Sequence, residues 1–345
     1  MNRTVEDQGK PGRKVSLKFL AERLGLSPST ISYVLNDTPG RSIPEATRER
    51  VRKAAVEFNY QPSMIARTLQ GKPMNTIGIL LPELGEGYHS QVLSGIGDAL
   101  MERDYFYFTV HHRHRKELIA AYPGLLQARG VDGIIAIDTH LEESIPLPAV
   151  LIAGETALRE VTNVVLDHEL AARLAVGHLV ELGHRRIVFM KGQLVSTDTI
   201  LRWEATMRVA KELGLTVDER LVVELALDSS SPEISYPGVH GLLERKAEFT
   251  AVLCFNDVAA MGTIRALHDA GLRVPEDVSV MGFDDIQSAA FQVPSLSTIR
   301  QPLKLMGSTG ADVLLRKLAG GELEPVIRVA PELVVRESTR AVGRR

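Results

Sequence analysis

Little in this chain is aromatic, sulfur-bearing or continuously apolar. Phe, Trp and Tyr make up 5% of its 345 residues, and there is one tryptophan. A single cysteine, Cys254, excludes an internal disulfide. It sits in the apolar run AVLCF and reads as a buried, inert thiol. No uncharged apolar stretch reaches the roughly 18 residues of a membrane-spanning helix, so no membrane partner is expected. The opening segment MNRTVEDQGKPGRK lacks the apolar core of a secretory signal. These absences together favour the cytoplasm. No GxGxxG follows the first strand-like run and no GxxxxGK[ST] occurs, which removes the usual nucleotide-enzyme readings. His111, His112 and His114 alternate with Arg113 and Arg115 at no familiar metal-ligand spacing. They read as a solvated loop, and neither a metal nor a cofactor is expected. Asp284-Asp285 are neighbours on one segment and lack a partner for acid–base work, so the chain does not read as an enzyme.

The formal net charge of −3 hides a polarity. Residues 1–74 carry 13 Lys/Arg against 7 Asp/Glu, a surplus of six positive charges, while the remainder carries 27 against 36, a deficit of nine. A basic end on an acidic body suits a nucleic-acid-binding module joined to a solvated sensor. Within the basic end, Ser16 can cap a helix whose apolar stripe is Leu17, Leu20, Ala21 and Leu24, and Gly25 can end it. Ser27 is a second cap, with Pro28 at the first helical position. The second helix buries Ile31, Val34 and Leu35 and presents Ser29, Thr30, Ser32 and Tyr33. A third carries Val51, Ala54, Ala55 and Phe58 on one face, with Arg48, Arg50, Arg52 and Lys53 also on it. Two short helices joined by a Gly-containing turn form a helix-turn-helix. The hydroxyl-rich, nearly acid-free face of the second helix can approach base edges and phosphates.

Residues 76–336 alternate strand-like runs (Thr76–Leu81, Tyr105–Val110, Gly133–Ile137, Ala149–Ile152, Arg186–Met190, Ala251–Phe255, Val278–Phe283) with amphipathic helical stretches such as Ser90–Met101 and Glu169–Leu182. That alternation predicts an α/β domain with parallel sheets and a ligand site at the carboxyl ends of the strands.

Specific motifs then narrow the reading. The segment VSLKFLAERLGLSPSTISYVLN, followed by TRERV, YQPSMIARTL and IGILLP, resembles the DNA-binding headpiece of the LacI/GalR family. Downstream, HLVELGHRRI after Asp167, FNDVAAMG, AGLRVPEDVSVMGFDD and PSLSTIRQP are similar to that family's effector domain. The resemblance implies an all-α helix-turn-helix headpiece plus a two-lobed, periplasmic-binding-protein-like domain. It implies a homodimeric, effector-regulated transcription factor, most often a repressor, on a palindromic operator in double-stranded DNA. The corresponding boundaries are a disordered tail over 1–14, the headpiece over 15–61, a hinge helix and linker over 62–75, the two-lobed domain over 76–336 and a tail over 337–345. Crossings between lobes are expected near 160, 290 and 325. An exported solute-binding protein would share the lobes but would need neither the headpiece nor the hinge.

Carried over residue by residue, the DNA-contacting set is Ser16, Leu17, Ser27, Ser29, Thr30, Ser32, Tyr33 and Asn36 in the headpiece, with Ser63, Ala66, Arg67 and Leu69 in the hinge. Leu69 matches the leucine that enters the minor groove and kinks the duplex. Tyr33 stands where many members have arginine. The effector, a sugar or related metabolite, is expected at Tyr88, His89, Asp138, Arg202, Asn256 and Asp284. Asp257 reads instead as a helix cap, and Asp285 as a group satisfying backbone donors. Ala205 and Thr206 replace the glycine and aromatic that usually follow the arginine. Some sugar-binding members have an acidic residue after the strand ending here at Ile152. This chain has Ala153-Gly154, which argues against a simple hexose.

Overall fold

The computed structural model describes residues 15–38, 40–60, 73–85, 87–142, 144–154, 156–225, 231–322 and 324–343. The chain separates into two compact units, one ending at Met74 and one beginning at Asn75.

Among its described residues the first unit holds three helices: α1 (Leu17–Leu24), α2 (Pro28–Leu35) and α3 (Glu45–Glu57). The caps form as the side-chain chemistry dictates. Ser16 Oγ accepts the N–H of Phe19 at 3.2 Å, and Gly25 ends α1 at φ 66°. Ser27 Oγ accepts the N–H of Thr30 at 3.1 Å. Leu20, Ala21, Ile31, Val34, Val51 and Ala54 close the core. Phe58, expected on the buried face of the third helix, packs partly buried against that core from the C-cap position and meets Phe19 edge-on at 5.4 Å. The expected tail over 1–14 and the hinge residues Ser63, Ala66, Arg67 and Leu69 lie outside the described residues.

The second unit holds two six-stranded sheets. The first contains β1 (Thr76–Leu81), β2 (Phe106–His111), β3 (Gly133–Ile137), β4 (Ala149–Ile152), β5 (Val161–Leu166) and β11 (Val326–Val329). Their order is β11-β5-β4-β3-β1-β2, every pairing parallel. Helices α4 (Tyr88–Met101) and α10 (Leu303–Leu318) cover one face, and α5 (Lys116–Gln127) the other. α4 and α10 touch backbone to backbone: a Cβ on Gly95 would overlap the carbonyl of Lys304, and one on Gly307 that of Val92. The second sheet contains β6 (Ile187–Lys191), β7 (Val222–Glu224), β8 (Ala251–Leu253), β9 (Ser279–Asp284), β10 (Ser297–Arg300) and β12 (Glu332–Val334). Its order is β12-β10-β9-β8-β6-β7, with only β12 antiparallel. Helices α6 (His168–Glu181) and α7 (Thr199–Glu212) pack on one face, α8 (Tyr236–Glu244) and α9 (Asp257–Asp269) on the other.

The chain passes between lobes at Asp167, at Gln301-Pro302 and at Ala330-Pro331, later than the expected 160, 290 and 325. β5 reads VTNVVL and was not legible as a strand: Thr162 and Asn163 interrupt its apolar run, yet both are buried. The Asn163 amide is satisfied locally, accepting from the N–H of Thr156 and donating to its carbonyl. The stretch expected as a tail is also corrected. Ser338 is fully buried and donates to the carbonyl of Val280, so residues 337–342 belong to the second lobe.

Candidate functional site

On the headpiece, the hydroxyls of α2 divide by their partners. Ser27 and Thr30 bond each other at 2.9 Å, and the Asn36 amide donates to the carbonyl and the hydroxyl of Ser32. Ser16 caps α1, and Leu17 packs against the headpiece core. Ser29 and Tyr33 are left as the side chains of α2 without such a bond. Sequence reasoning missed Arg41, in the loop after α2. Its guanidinium lies 4.7 Å from the Tyr33 ring centre, so an arginine reaches this face although position 33 itself is tyrosine. Asp37 holds Arg48 and Arg52, at 3.6 and 2.8 Å.

In the second unit the six predicted effector residues come together in one cavity of about 90 Å³ between the lobes. Tyr88 and His89 open α4, their rings edge-on at 5.3 Å. Asp138 follows β3, Asn256 precedes α9, and Asp284 ends β9. Arg202, on α7, is held on all sides. Its guanidinium lies between the rings of Phe255 and Phe283, at 4.6 and 3.9 Å, and donates to the Phe255 carbonyl at 2.7 Å. Asp198, one turn earlier, faces it at 3.6 Å and faces His168 at 3.4 Å. Burial pushes the Asp198 carboxyl up, but His168 and Arg202 outweigh that and leave it below the ordinary carboxylate range. Asp198, Phe255 and Phe283 were missed in the sequence. The Asp-x-x-x-Arg spacing was the available signal for the first.

Four side chains play parts other than those read from the sequence. Asn256, not Asp257, caps α9, its Oδ1 accepting the N–H of Ala259 at 2.8 Å. Asp257 is fully buried and accepts from Thr298 Oγ1 and the N–H of Ile286. Asp285 pairs with Arg300 and Arg336, both at 2.7 Å, instead of serving backbone donors. His112 is not solvated: it is fully buried against Thr139 at 2.9 Å, and burial pulls its pKa down to about 4.

Asp138 is engaged across the lobes. Its Oδ1 accepts from the N–H of Thr197 at 2.7 Å, from Thr197 Oγ1 at 2.8 Å and from Ser196 Oγ at 3.2 Å. Thr197 Oγ1 also reaches the Ala153 carbonyl, and Gly154 leaves the room: a Cβ there would overlap Thr197. The residue thus latches the loop before α7 onto the first lobe. Its neighbour His89 lies 3.9 Å away, and burial lowers the His89 pKa, so the ring is neutral near pH 7. Hydrogen bonds to a charged group contribute about 1.5–3 kcal/mol each. Asp138→Ala should therefore shift the lobes at least tenfold towards open. Small-angle scattering should show a larger radius of gyration with unchanged circular dichroism; an unchanged radius would mean that the latch does not hold closure.

The cavity also stores a proton. Burial raises the Asp284 pKa to about 7, against the lowering influence of Arg202 and of the Gln301 amide 2.6 Å away. Between the unfolded carboxyl value near 4 and about 7, the native chain keeps a proton that the unfolded chain has released. Stability from this group therefore falls as pH rises through that window. Asp257 is shifted in the same direction, also chiefly by burial. Asp284→Asn should flatten, without abolishing, the fall in melting temperature between pH 5 and 8.

Comparisons with known proteins bear on the family and the fold. Residues 16–63 match the family model described as bacterial regulatory proteins, lacI family, and residues 176–339 match the periplasmic binding protein-like domain. The HTH-type transcriptional repressor PurR of Haemophilus influenzae is 30% identical over 338 residues, covering 95% of this chain and 99% of that protein. The PurR of Yersinia pestis is 31% identical over 333 residues, covering 94% and 96%. The lac repressor dimer bound to operator and the anti-inducer ONPF superposes with a TM-score of 0.86 at 28% identity, over 95% of this chain and all of that one. The regulator CelR in complex with cellobiose gives 0.70 at 27% identity, over 94% of this chain and all of that one.

Proposed function

Since the chain belongs to the LacI family of bacterial regulators, DNA-binding transcriptional repressors with an effector domain and not enzymes, we propose that it binds a palindromic operator as a homodimer and is switched by a small metabolite held between its lobes. The observation that carries the effector half is a set of sealed, unsatisfied polar atoms. The Tyr88 hydroxyl and Arg202 Nε have no hydrogen-bond partner among the described residues, yet both belong to residues lining the cavity. Buried polar atoms are nearly always satisfied, so orphans around a cavity call for a ligand. A ligand switches the protein only by binding one arrangement of the lobes better than the other. The solute-binding alternative leaves the headpiece unused. A thermal-shift screen of sugars, nucleosides and organic acids against wild type and Asp284→Asn tests the site. A hit whose shift is equal in both proteins would move it elsewhere.

For DNA, the reading is a homodimer in the cytoplasm, with Leu69 from each hinge entering the operator centre at a CG step. Light scattering at micromolar concentration should give the dimer mass. Specificity in the half-site falls to Ser29 and to the Tyr33–Arg41 pair. Tyr33→Arg should shift one symmetric pair of positions towards guanine by about 1–3 kcal/mol per contact. Arg41→Ala should relax selection at that pair or its neighbour. Selection from a random library checks both; identical half-sites from all three proteins would remove this pair from base reading.

A further inference from the structure

The effector cleft is too small for a whole ligand, and what lies beside it is chemically different. Small-molecule sites run to about 300–1,000 Å³. The polar cleft offers about 90 Å³, room for about three waters at roughly 30 Å³ each. Next to it is a second cavity of about 760 Å³. Its walls are α5, the loop following β3, and Leu194-Val195 of the other lobe. The two spaces adjoin. His114 lines both, and so does the 193–196 loop: Gln193 and Ser196 face the cleft, while Leu194 and Val195 between them face the larger chamber. Likewise Asp138 lines the cleft and His140 and Leu141 line the chamber.

Carboxylates, an arginine and a phenol surround the cleft. The chamber is built on Ile119, Pro123, Leu141, Ile145, Leu194 and Val195. Its charged groups neutralise one another, Lys116 against Glu142 at 3.5 Å and Glu117 against Arg115 at 2.7 Å. Leu194 stands 68% exposed on its loop, a large apolar side chain left uncovered beside an apolar space. Burying such surface is favourable in proportion to its area.

We infer that this chamber is a binding subsite for an uncharged aromatic or alkyl group, and that the effector is bipartite: a hydrogen-bonding head in the cleft and an apolar arm in the chamber. The inference rests on the reading of the cleft as the effector site. Because the chamber takes walls from both lobes, the arm binds the closed arrangement best and adds to the switch.

The probe is prodan, an uncharged naphthalene dye whose emission shifts to the blue in apolar surroundings, titrated into the full-length protein. It should bind saturably, once per protomer. Ala120→Trp, which fills the chamber, and Leu194→Glu, which places a charge at its wall, should each weaken binding at least tenfold. Phe291→Ser, which removes an 80% exposed apolar side chain that lines neither cavity, should leave binding unchanged. Melting temperatures of the variants, compared with wild type, separate lost binding from lost folding. Non-saturable binding, or binding indifferent to both chamber variants, overturns the inference. If the cleft reading alone is wrong, that shows in the metabolite screen and not in the prodan titration.

Discussion

Arg202→Ala is expected to lower the unfolding free energy by about 3–5 kcal/mol and to abolish the effector response. The magnitude follows from what the guanidinium holds. It is 8% exposed, lies between two aromatic rings, and is the arginine facing Asp198. Its removal strips the Phe255 carbonyl of its donor and leaves Asp198 facing His168 alone, and breaking into a buried charged cluster in this way costs about that much. From the sequence alone Arg202 has a part only as an effector contact, and the packing adds a structural one. Arg202 supports the second lobe as well as the cavity wall. Urea denaturation of wild type, Arg202→Ala and Arg202→Lys separates the parts. Lysine keeps charge but neither the planar stacking nor the bond geometry, and should recover only part of the loss. A loss below about 1 kcal/mol in the alanine variant would show that the stack carries little.

Operator affinity should fall by about 10³–10⁵ between 50 and 200 mM salt. The region up to Met74 carries six surplus positive charges. If each protomer of a dimer neutralises about 3–5 phosphates, log K against log salt has a slope of roughly −5 to −9. The ion pairs of Asp37 with Arg48 and Arg52 limit how many of those charges are free for phosphate. Arg50→Gln, which removes one positive charge, should shallow the slope by about one if that side chain meets a phosphate. Fluorescence anisotropy over a salt series provides the slope, and a value shallower than about −2 would contradict operator binding by this headpiece.

The sequence was most legible where one residue type has one physical use. Ser16, Gly25, Ser27 and Pro28 each have a single good place in a helical hairpin, and each takes it. Uninterrupted apolar runs gave β1, β3 and β4 to the residue. β5 was lost because buried Thr162 and Asn163 look like surface residues until their partners are known. At the cleft, the six carried-over residues share a wall, but their division of labour was hidden. The latch made by Asp138 depends on Thr197, 59 positions away, and nothing local announces such a pair. His112 was misjudged for the converse reason: polar neighbours in sequence do not keep a side chain in water when the chain turns it inward. Arg41 escaped notice because its role comes from stacking on a ring, not from a motif.

The triple passage between lobes also orders the birth of the molecule. The first lobe's sheet begins at Thr76, but the helix that covers it against α4 starts about 200 residues after α4 ends, and its edge strand β11 comes later still. During synthesis the early half of that lobe must wait, part of its apolar face bare, while most of the second lobe, five of its six strands, emerges and folds. Long-range contacts of this kind slow folding, and a waiting apolar face is prone to aggregate. A nascent chain halted after Arg300 should therefore contain a nearly complete second lobe tethered to an open first one. The lobe nearer the N-terminus is begun first, yet it gains its covering helix and edge strand only after most of the second lobe has emerged.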